Sequence, residues 1–94
     1  MGRNIPNNGR VTDPMMNGFI KEYIIPFFEY GTFIDGEGLW KGELEQTKIF
    51  YLELPDNEVD GIREMFQQIA IKYKQAFNQD SVLISQIDSK IAFV

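Results

Sequence analysis

The sequence predicts an α+β fold in which two helices pack on one face of an antiparallel sheet. Two segments carry apolar residues at helical spacing, and the segments around them alternate apolar and polar residues as strands do. With a short extended piece at Met1–Ile5, the predicted order is strand, helix, two strands, helix and strand. This order is typical of the ferredoxin-like split β-α-β fold. We expect residues 1–94 to form a single α+β domain, because a chain of this length supports one core.

The first helix is predicted over Pro14–Ile25. Asp13 is suited to the N-cap, and Pro14 suits the first helical position because its missing N–H would have no partner there. Pro26 should end or kink the helix. The apolar stripe of this helix comprises Met16, Phe19, Ile20, Tyr23, Ile24 and Phe27.

The second helix is predicted over Glu58–Phe77, with Asp56 or Asn57 as its N-cap. Asn78 follows as a left-handed C-cap. Acidic residues crowd the first turns and lysines lie near the end, which matches the helix dipole. The apolar stripe comprises Ile62, Met65, Phe66, Ile69, Tyr73 and Phe77.

Lys48–Leu54 is the clearest strand, whereas the segment before it allows two interpretations. Residues 32–41 form either a hairpin centred on Asp35-Gly36 or one bent strand broken by a bulge, and Gly42-Glu43 then turns the chain. After the second helix, Ser81–Ile87 and Ile91–Val94 are predicted as strands.

The second face of the strand Lys48–Leu54 is half apolar. Phe50 points to one face, and Ile49 and Tyr51 point to the other. If both helices cover the face of Phe50, the opposite face exposes apolar area that monomers rarely leave uncovered. We therefore expect an oligomer interface at Ile49 and Tyr51, in a homodimer. Burial of a ligand on this face is the alternative.

The composition excludes several classes of function. The chain has no His and no Cys, which removes Ser-His-Asp triads, cysteine nucleophiles, zinc fingers and haem ligation. The net charge of −5 argues against nucleic-acid binding. No apolar stretch has the length of a membrane span. We expect a cytoplasmic protein that binds neither nucleic acid nor membrane and uses no metal or cofactor.

Tyr30 and Trp40 lie next to glycine-containing segments and are candidates to line a ligand pocket. The pocket would lie between the sheet and the first helix, with Arg3 as its cation. Its ligand would then be small and either anionic or aromatic. The alternative is that both aromatic rings pack at the rim of the core.

A series of short motifs, in order and spacing, resembles a bacterial and phage family known as domain of unknown function three-five-seven-four. The motifs are Gly2 and Pro6 with Asn8-Gly9, Pro26-Phe27-Phe28, Gly31-Thr32, Gly38-Leu39-Trp40, Tyr73-Lys74-Gln75-Ala76-Phe77 and Gln79-Asp80-Ser81-Val82-Leu83. The resemblance implies an α+β fold of the plan above and a protein of a phage or other mobile element. It implies no activity.

The favoured hypothesis for function is a non-catalytic binding or interaction module that acts as a homo-oligomer. A first alternative is a small cofactor-free enzyme of the proton-transfer or lyase type, with a Glu/Tyr/Arg site in a dimer cavity. A second alternative, suggested by charge alone, is an acidic phage-type inhibitor of a basic host protein.

Overall fold

The computed structural model describes residues 1–6 and 9–88. Its elements are α1 (Asp13–Tyr23), a 3-10 turn (Ile25–Phe27), β1 (Thr32–Trp40), β2 (Glu43–Tyr51), a second 3-10 turn (Asp56–Glu58) and α2 (Val59–Phe77). Two helices and a two-stranded antiparallel sheet make this an α+β structure, so the predicted class is confirmed.

The ferredoxin-like plan is not confirmed, because the described elements run helix, strand, strand, helix. Residues 81–88 form no strand, so the strand predicted over Ser81–Ile87 is wrong. Val82 packs against the core and Gln86 accepts a hydrogen bond from the Arg63 side chain, so side-chain contacts with the rest of the chain replace a strand ladder. The strand predicted over Ile91–Val94 lies outside the described residues.

The extended segment Met1–Ile5 pairs beside β2. Gly2 forms an antiparallel bridge with Thr47. The N–H of Arg3 donates to the carbonyl of Gln46 over 2.9 Å. The segment therefore lies on the edge of β2 that β1 leaves free.

The hairpin between β1 and β2 turns at Lys41-Gly42. Both residues have positive φ, 50° and 81°, and the strands resume at once with Trp40 opposite Glu43. Positive φ at both central residues is the type I′ geometry of two-residue hairpins.

Neither interpretation of residues 32–41 is right. β1 runs through Asp35-Gly36 without a turn, and its residues match those of β2 one to one, without a bulge. The long hairpin stacks Phe33 on Phe50, with ring centroids 4.9 Å apart. A turn at Asp35-Gly36 would have separated these two rings.

The ends of the helices differ from the prediction in detail. Thr12, not Asp13, is the N-cap of α1, and its hydroxyl accepts from the N–H of Met15 over 3.4 Å. The helix ends at Tyr23, and the 3-10 turn that follows takes Phe27 off the apolar stripe. Phe27 is 60% exposed, so its predicted place in the core is wrong.

The second helix matches its prediction closely. α2 starts one residue late, at Val59, because Asp56 and Asn57 belong to the preceding 3-10 turn and Glu58 is the N-cap. Asn78 adopts the predicted left-handed conformation, with φ 50° and ψ 46°.

The core lies where the two helices meet the N-terminal segment. Its buried side chains are Val11, Met16, Phe19, Ile20, Ile24 and Tyr73. The rings of Phe19 and Tyr73 meet edge to face at 5.1 Å, and the Tyr73 hydroxyl donates to the carbonyl of Gly2 over 2.6 Å. Phe66 of α2 and Phe28, which follows α1, both contact Phe50. The helical side of the molecule thus covers the Phe33–Phe50 end of this face of the hairpin, whereas Leu39 and Leu44, at the turn end of the same face, are exposed.

Replacing Tyr73 by Phe should lower the free energy of unfolding by about 1–2 kcal/mol, because the Gly2 carbonyl loses its donor. Burial also raises the pKa of Tyr73 above its ordinary value. A group whose pKa rises on folding contributes its full stabilisation at pH values below its unfolded pKa, which is about 10 for tyrosine. That contribution is lost as the pH rises above this value. Urea unfolding at about pH 7 and about pH 11 measures both effects. An alkaline loss of stability as large in Tyr73→Phe as in the wild type would contradict this role.

Replacing Gly42 by Ala should destabilise the protein by about 1 kcal/mol, because a side chain is strained at this positive φ. The matched control is Gly38→Ala in β1. Gly38 is not among the positive-φ residues, and an added Cβ there meets no atom within 4 Å. Thermal unfolding of the two variants should separate them, and an equal loss in both would place the hairpin turn elsewhere.

Candidate functional site

The register of the hairpin sorts its side chains onto two faces, because successive residues of a strand point to opposite sides. Phe33 lies opposite Phe50 on the face that the helices cover. Ile34 lies opposite Ile49 on the other side. We call that second side the open face, defined by Ile34, Ile49 and Tyr51.

The open face is apolar and uncovered in the described part of the chain. Ile34, Ile49 and Tyr51 are 44%, 43% and 47% exposed. Gly36 adds no side chain there, and a Cβ built on it would lie 3.8 Å from the Ile49 Cδ1 atom. The alternation in the strand predicted Ile49 and Tyr51, but Ile34 was missed because the register with β1 was unknown. The interface itself stays a prediction.

One end of the open face is fixed by a hydrogen bond. The Tyr51 hydroxyl donates to a carboxylate oxygen of Glu53 over 2.6 Å. This bond, with the neighbouring negative charge, raises the pKa of Tyr51. The ring therefore presents its apolar body with its hydroxyl already bound.

A groove of about 650 Å³ lies on the covered side, between the start of α1 and the hairpin. We call it the polar groove. It is lined by Arg3, Asp13, Asn17, Asp35, Gly36, Glu37, Gln46, Thr47 and Lys48. Pairing of the N-terminal segment with β2 brings Arg3 to this place.

Arg3 is the buried cation of the polar groove, 7% exposed. Its Nε donates to the carbonyl of Val11 over 2.8 Å, and its Nη2 donates to Asp13 over 2.6 Å. The side chain of Asp13 is 82% exposed. The hydrogen bond from Arg3, and then its positive charge, hold the pKa of Asp13 below its usual range.

Lys48 is the second cation of the polar groove. It lies opposite Asp35 in the register, and the two side chains form an ion pair of 2.5 Å. The Lys48 side chain is only 18% exposed, whereas that of Asp35 is 74% exposed. In both ion pairs, then, the cation is held inside and the carboxylate faces water.

The three residues predicted to line one pocket lie in different places. Arg3 lines the polar groove, whereas Tyr30 lines a small apolar recess with Ile24 and Phe28. The Tyr30 hydroxyl donates to the carbonyl of Glu53 over 2.9 Å. Trp40 ends β1 at the hairpin turn and lines neither the polar groove nor the apolar recess. A pocket shared by all three stays a prediction.

A carboxylate, a tyrosine and an arginine do come near one another at the N-terminal segment. Arg3 and Glu45 both act electrostatically on Tyr73. The Tyr73 hydroxyl already donates a hydrogen bond to the backbone carbonyl of Gly2, and burial raises the pKa of Tyr73. This tyrosine therefore stays protonated at neutral pH, and its contacts are those of a structural residue.

The residues that the structure describes form a small α+β fold with an uncovered apolar sheet face and a polar groove. A family model matches residues 1–93, and the chain belongs to that family, the DUF3574 proteins of unknown function. The resemblance seen in the sequence is thereby confirmed. No curated protein and no solved structure matches the chain. Neither helix of the described residues is long and apolar enough to cross a membrane.

Replacing Asp13 by Asn should make the protein less sensitive to acid. A carboxyl whose pKa is lowered on folding stabilises the fold above its unfolded pKa, of about 3.9, and that contribution is lost as pH falls through the folded pKa. Urea unfolding at about pH 6 and about pH 3 should show a larger loss for the wild type than for Asp13→Asn. Identical acid profiles would mean that the Arg3–Asp13 pair is not formed in solution.

Proposed function

We propose that the protein is a non-catalytic interaction module that self-associates as a homodimer through its open face. The observation that carries this proposal is the contiguous exposure of Ile34, Ile49 and Tyr51 on the uncovered face of the hairpin. Contiguous apolar patches of more than a few hundred Å² are rare on monomeric proteins and mark interaction sites.

A second copy of the chain suits the open face because of its charge. The chain carries a net charge of −5, so two copies repel each other over most of their surfaces. Ile34, Ile49, Tyr51 and the neighbouring Thr47 bear no charge. The carboxylate next to the patch is that of Glu53, which accepts the hydrogen bond of the Tyr51 hydroxyl at its edge. A twofold axis through the patch therefore sets apolar surface against apolar surface.

The energetics allow a dimer. Three side chains that each bury about 100 Å² contribute about 7 kcal/mol per protomer at 25 cal/mol/Å². Two protomers give about 15 kcal/mol, against an association cost of about 4–15 kcal/mol. The surplus is at most about 11 kcal/mol, which corresponds to a dissociation constant of about 10 nM or weaker.

The ferredoxin-like plan belongs to the same proposal. The N-terminal segment runs antiparallel beside β2, the strand that follows the hairpin turn. The split β-α-β fold places its first strand beside the third in this way. In that plan both helices cover one face of the sheet, which leaves the opposite face free for the second copy.

Replacing Ile49 by Asp should abolish the dimer, because the interface would bury two unpaired carboxylates. The control is Leu39→Asp, since Leu39 is in the same hairpin, points to the other face and is 72% exposed. Sedimentation equilibrium over a micromolar concentration series measures the association constant, and circular dichroism verifies the fold of both variants.

The proposal predicts a monomer for Ile49→Asp and an unchanged dimer for Leu39→Asp. A wild-type protein that stays monomeric at hundreds of micromolar would refute it. A dimer that Leu39→Asp breaks and Ile49→Asp leaves intact would move the interface to the covered side.

A further inference from the structure

The polar groove holds two cations that water barely reaches, each paired with a carboxylate that water reaches freely. We propose that this groove binds a small oxyanion, a carboxylate or phosphate, that also carries hydroxyl or amine groups. The site is independent of the open face and of the dimer proposed above, because it lies on the opposite side of the hairpin.

The cations are preorganised on the protein side of the groove. Arg3 is held by the Val11 carbonyl as well as by Asp13, so its guanidinium keeps its position when Asp13 moves. Lys48 is fixed at its backbone, where its N–H donates to the Met1 carbonyl over 2.9 Å. Cations that are fixed in a site of low water access bind anions more strongly than solvated ones do.

The carboxylates are the exchangeable partners. Asp13 and Asp35 are 82% and 74% exposed, so each can rotate into water at little cost in desolvation. A cation with little access to water is costly to leave unpaired, so a carboxylate that moves away must be replaced by another anion. A ligand oxyanion can therefore take the place of Asp13 on Arg3 without a large loss in protein stability.

Positive charge converges on this one position. Arg3, Lys48 and Arg10 all act on Asp13 and lower its pKa. Arg10 also donates to the side chain of Gln46, which lines the groove. The first turn of α1 points the positive end of the helix dipole the same way. The groove lining also holds the carboxylates of Asp13, Asp35 and Glu37, so an anion binds to these cations by displacing a carboxylate from one of them.

The remaining lining residues select the rest of the ligand. Asp35 and Glu37 offer carboxylate oxygens, and Asn17 and Gln46 offer side-chain acceptors and donors. An anion without hydroxyl or amine groups would leave these side chains hydrated. Hydroxyl or amine groups on the ligand would be bound by them, and the volume of about 650 Å³ suits a metabolite-sized molecule.

The test is a titration of the ¹⁵N-labelled full chain with glycerol 3-phosphate and with inorganic phosphate, at ionic strength held constant with NaCl. The amide signals of Gly36 and Thr47, which line the groove, report binding. We expect saturable shifts at these amides, with glycerol 3-phosphate binding more tightly than phosphate. Absence of saturation with both probes would overturn the proposal, and equal affinity for the two would overturn the part of it that concerns hydroxyl groups.

Three variants distinguish a ligand site from a merely structural charge cluster. Lys48→Gln should weaken binding by about tenfold or more, because a charge-assisted hydrogen bond is lost. Lys41→Gln is the matched control, since Lys41 also forms an ion pair, with Asp80, but is 69% exposed and lies outside the groove. Asp13→Asn should strengthen binding, because the competing carboxylate is removed.

The result for Asp13→Asn is the most discriminating of the three. A structural role for the Arg3–Asp13 pair predicts weaker binding, or none, when the pair is broken. Tighter binding supports exchange of Asp13 for the ligand. Equal weakening by Lys41→Gln and Lys48→Gln would show a general effect of charge and would overturn the site.

Discussion

The register of β1 against β2 is the constraint on which the rest of the structure depends. It pairs Phe33 with Phe50 on the helical side and Ile34 with Ile49 on the other. A slip of one residue would exchange the faces of one strand, because side chains alternate along it. The turn at Lys41-Gly42 fixes the register at one end of the hairpin, and the aromatic stack on Phe50 fixes it at the other. The polar groove and the open face are the two consequences of this sorting.

The sequence predicts most of the helical structure and the approximate position of the turn, but not the uninterrupted first strand of the hairpin. Periodicity places α2 within one residue, because Asn78 ends it with a distinct local signal. The turn predicted at Gly42-Glu43 lies one residue after the observed one, and Asp35-Gly36 competes with it as a stronger type I′ signal, since lysine rarely adopts positive φ. Packing between strands outweighs this local preference, and packing depends on contacts between residues far apart in the chain. The same applies to residues 81–88, whose alternation is typical of a strand although the described segment forms none.

The candidate sites were predictable in part. Ile49 and Tyr51 share a face by alternation alone, whereas Ile34 joins them only through the register. Arg3 was expected to meet a ligand, but beside the aromatic rings of Tyr30 and Trp40. The structure instead sets Arg3 in a polar groove with residues from α1 and both strands. No pattern in the sequence joins these segments, because their meeting depends on the pairing of the N-terminal segment with β2.

The most direct test of the two-faced hairpin is the rate at which single cysteines react with a thiol reagent. The chain has no cysteine of its own, so Ile49→Cys, Phe50→Cys and Tyr51→Cys each give one reactive site. We predict fast labelling at positions 49 and 51 in dilute protein, slower labelling there as concentration rises through the micromolar range, and slow labelling at position 50 throughout. Fast labelling at position 50 with protection at 49 and 51 in dilute protein would contradict the register. Rates at 49 and 51 that do not change with concentration would contradict self-association through the open face.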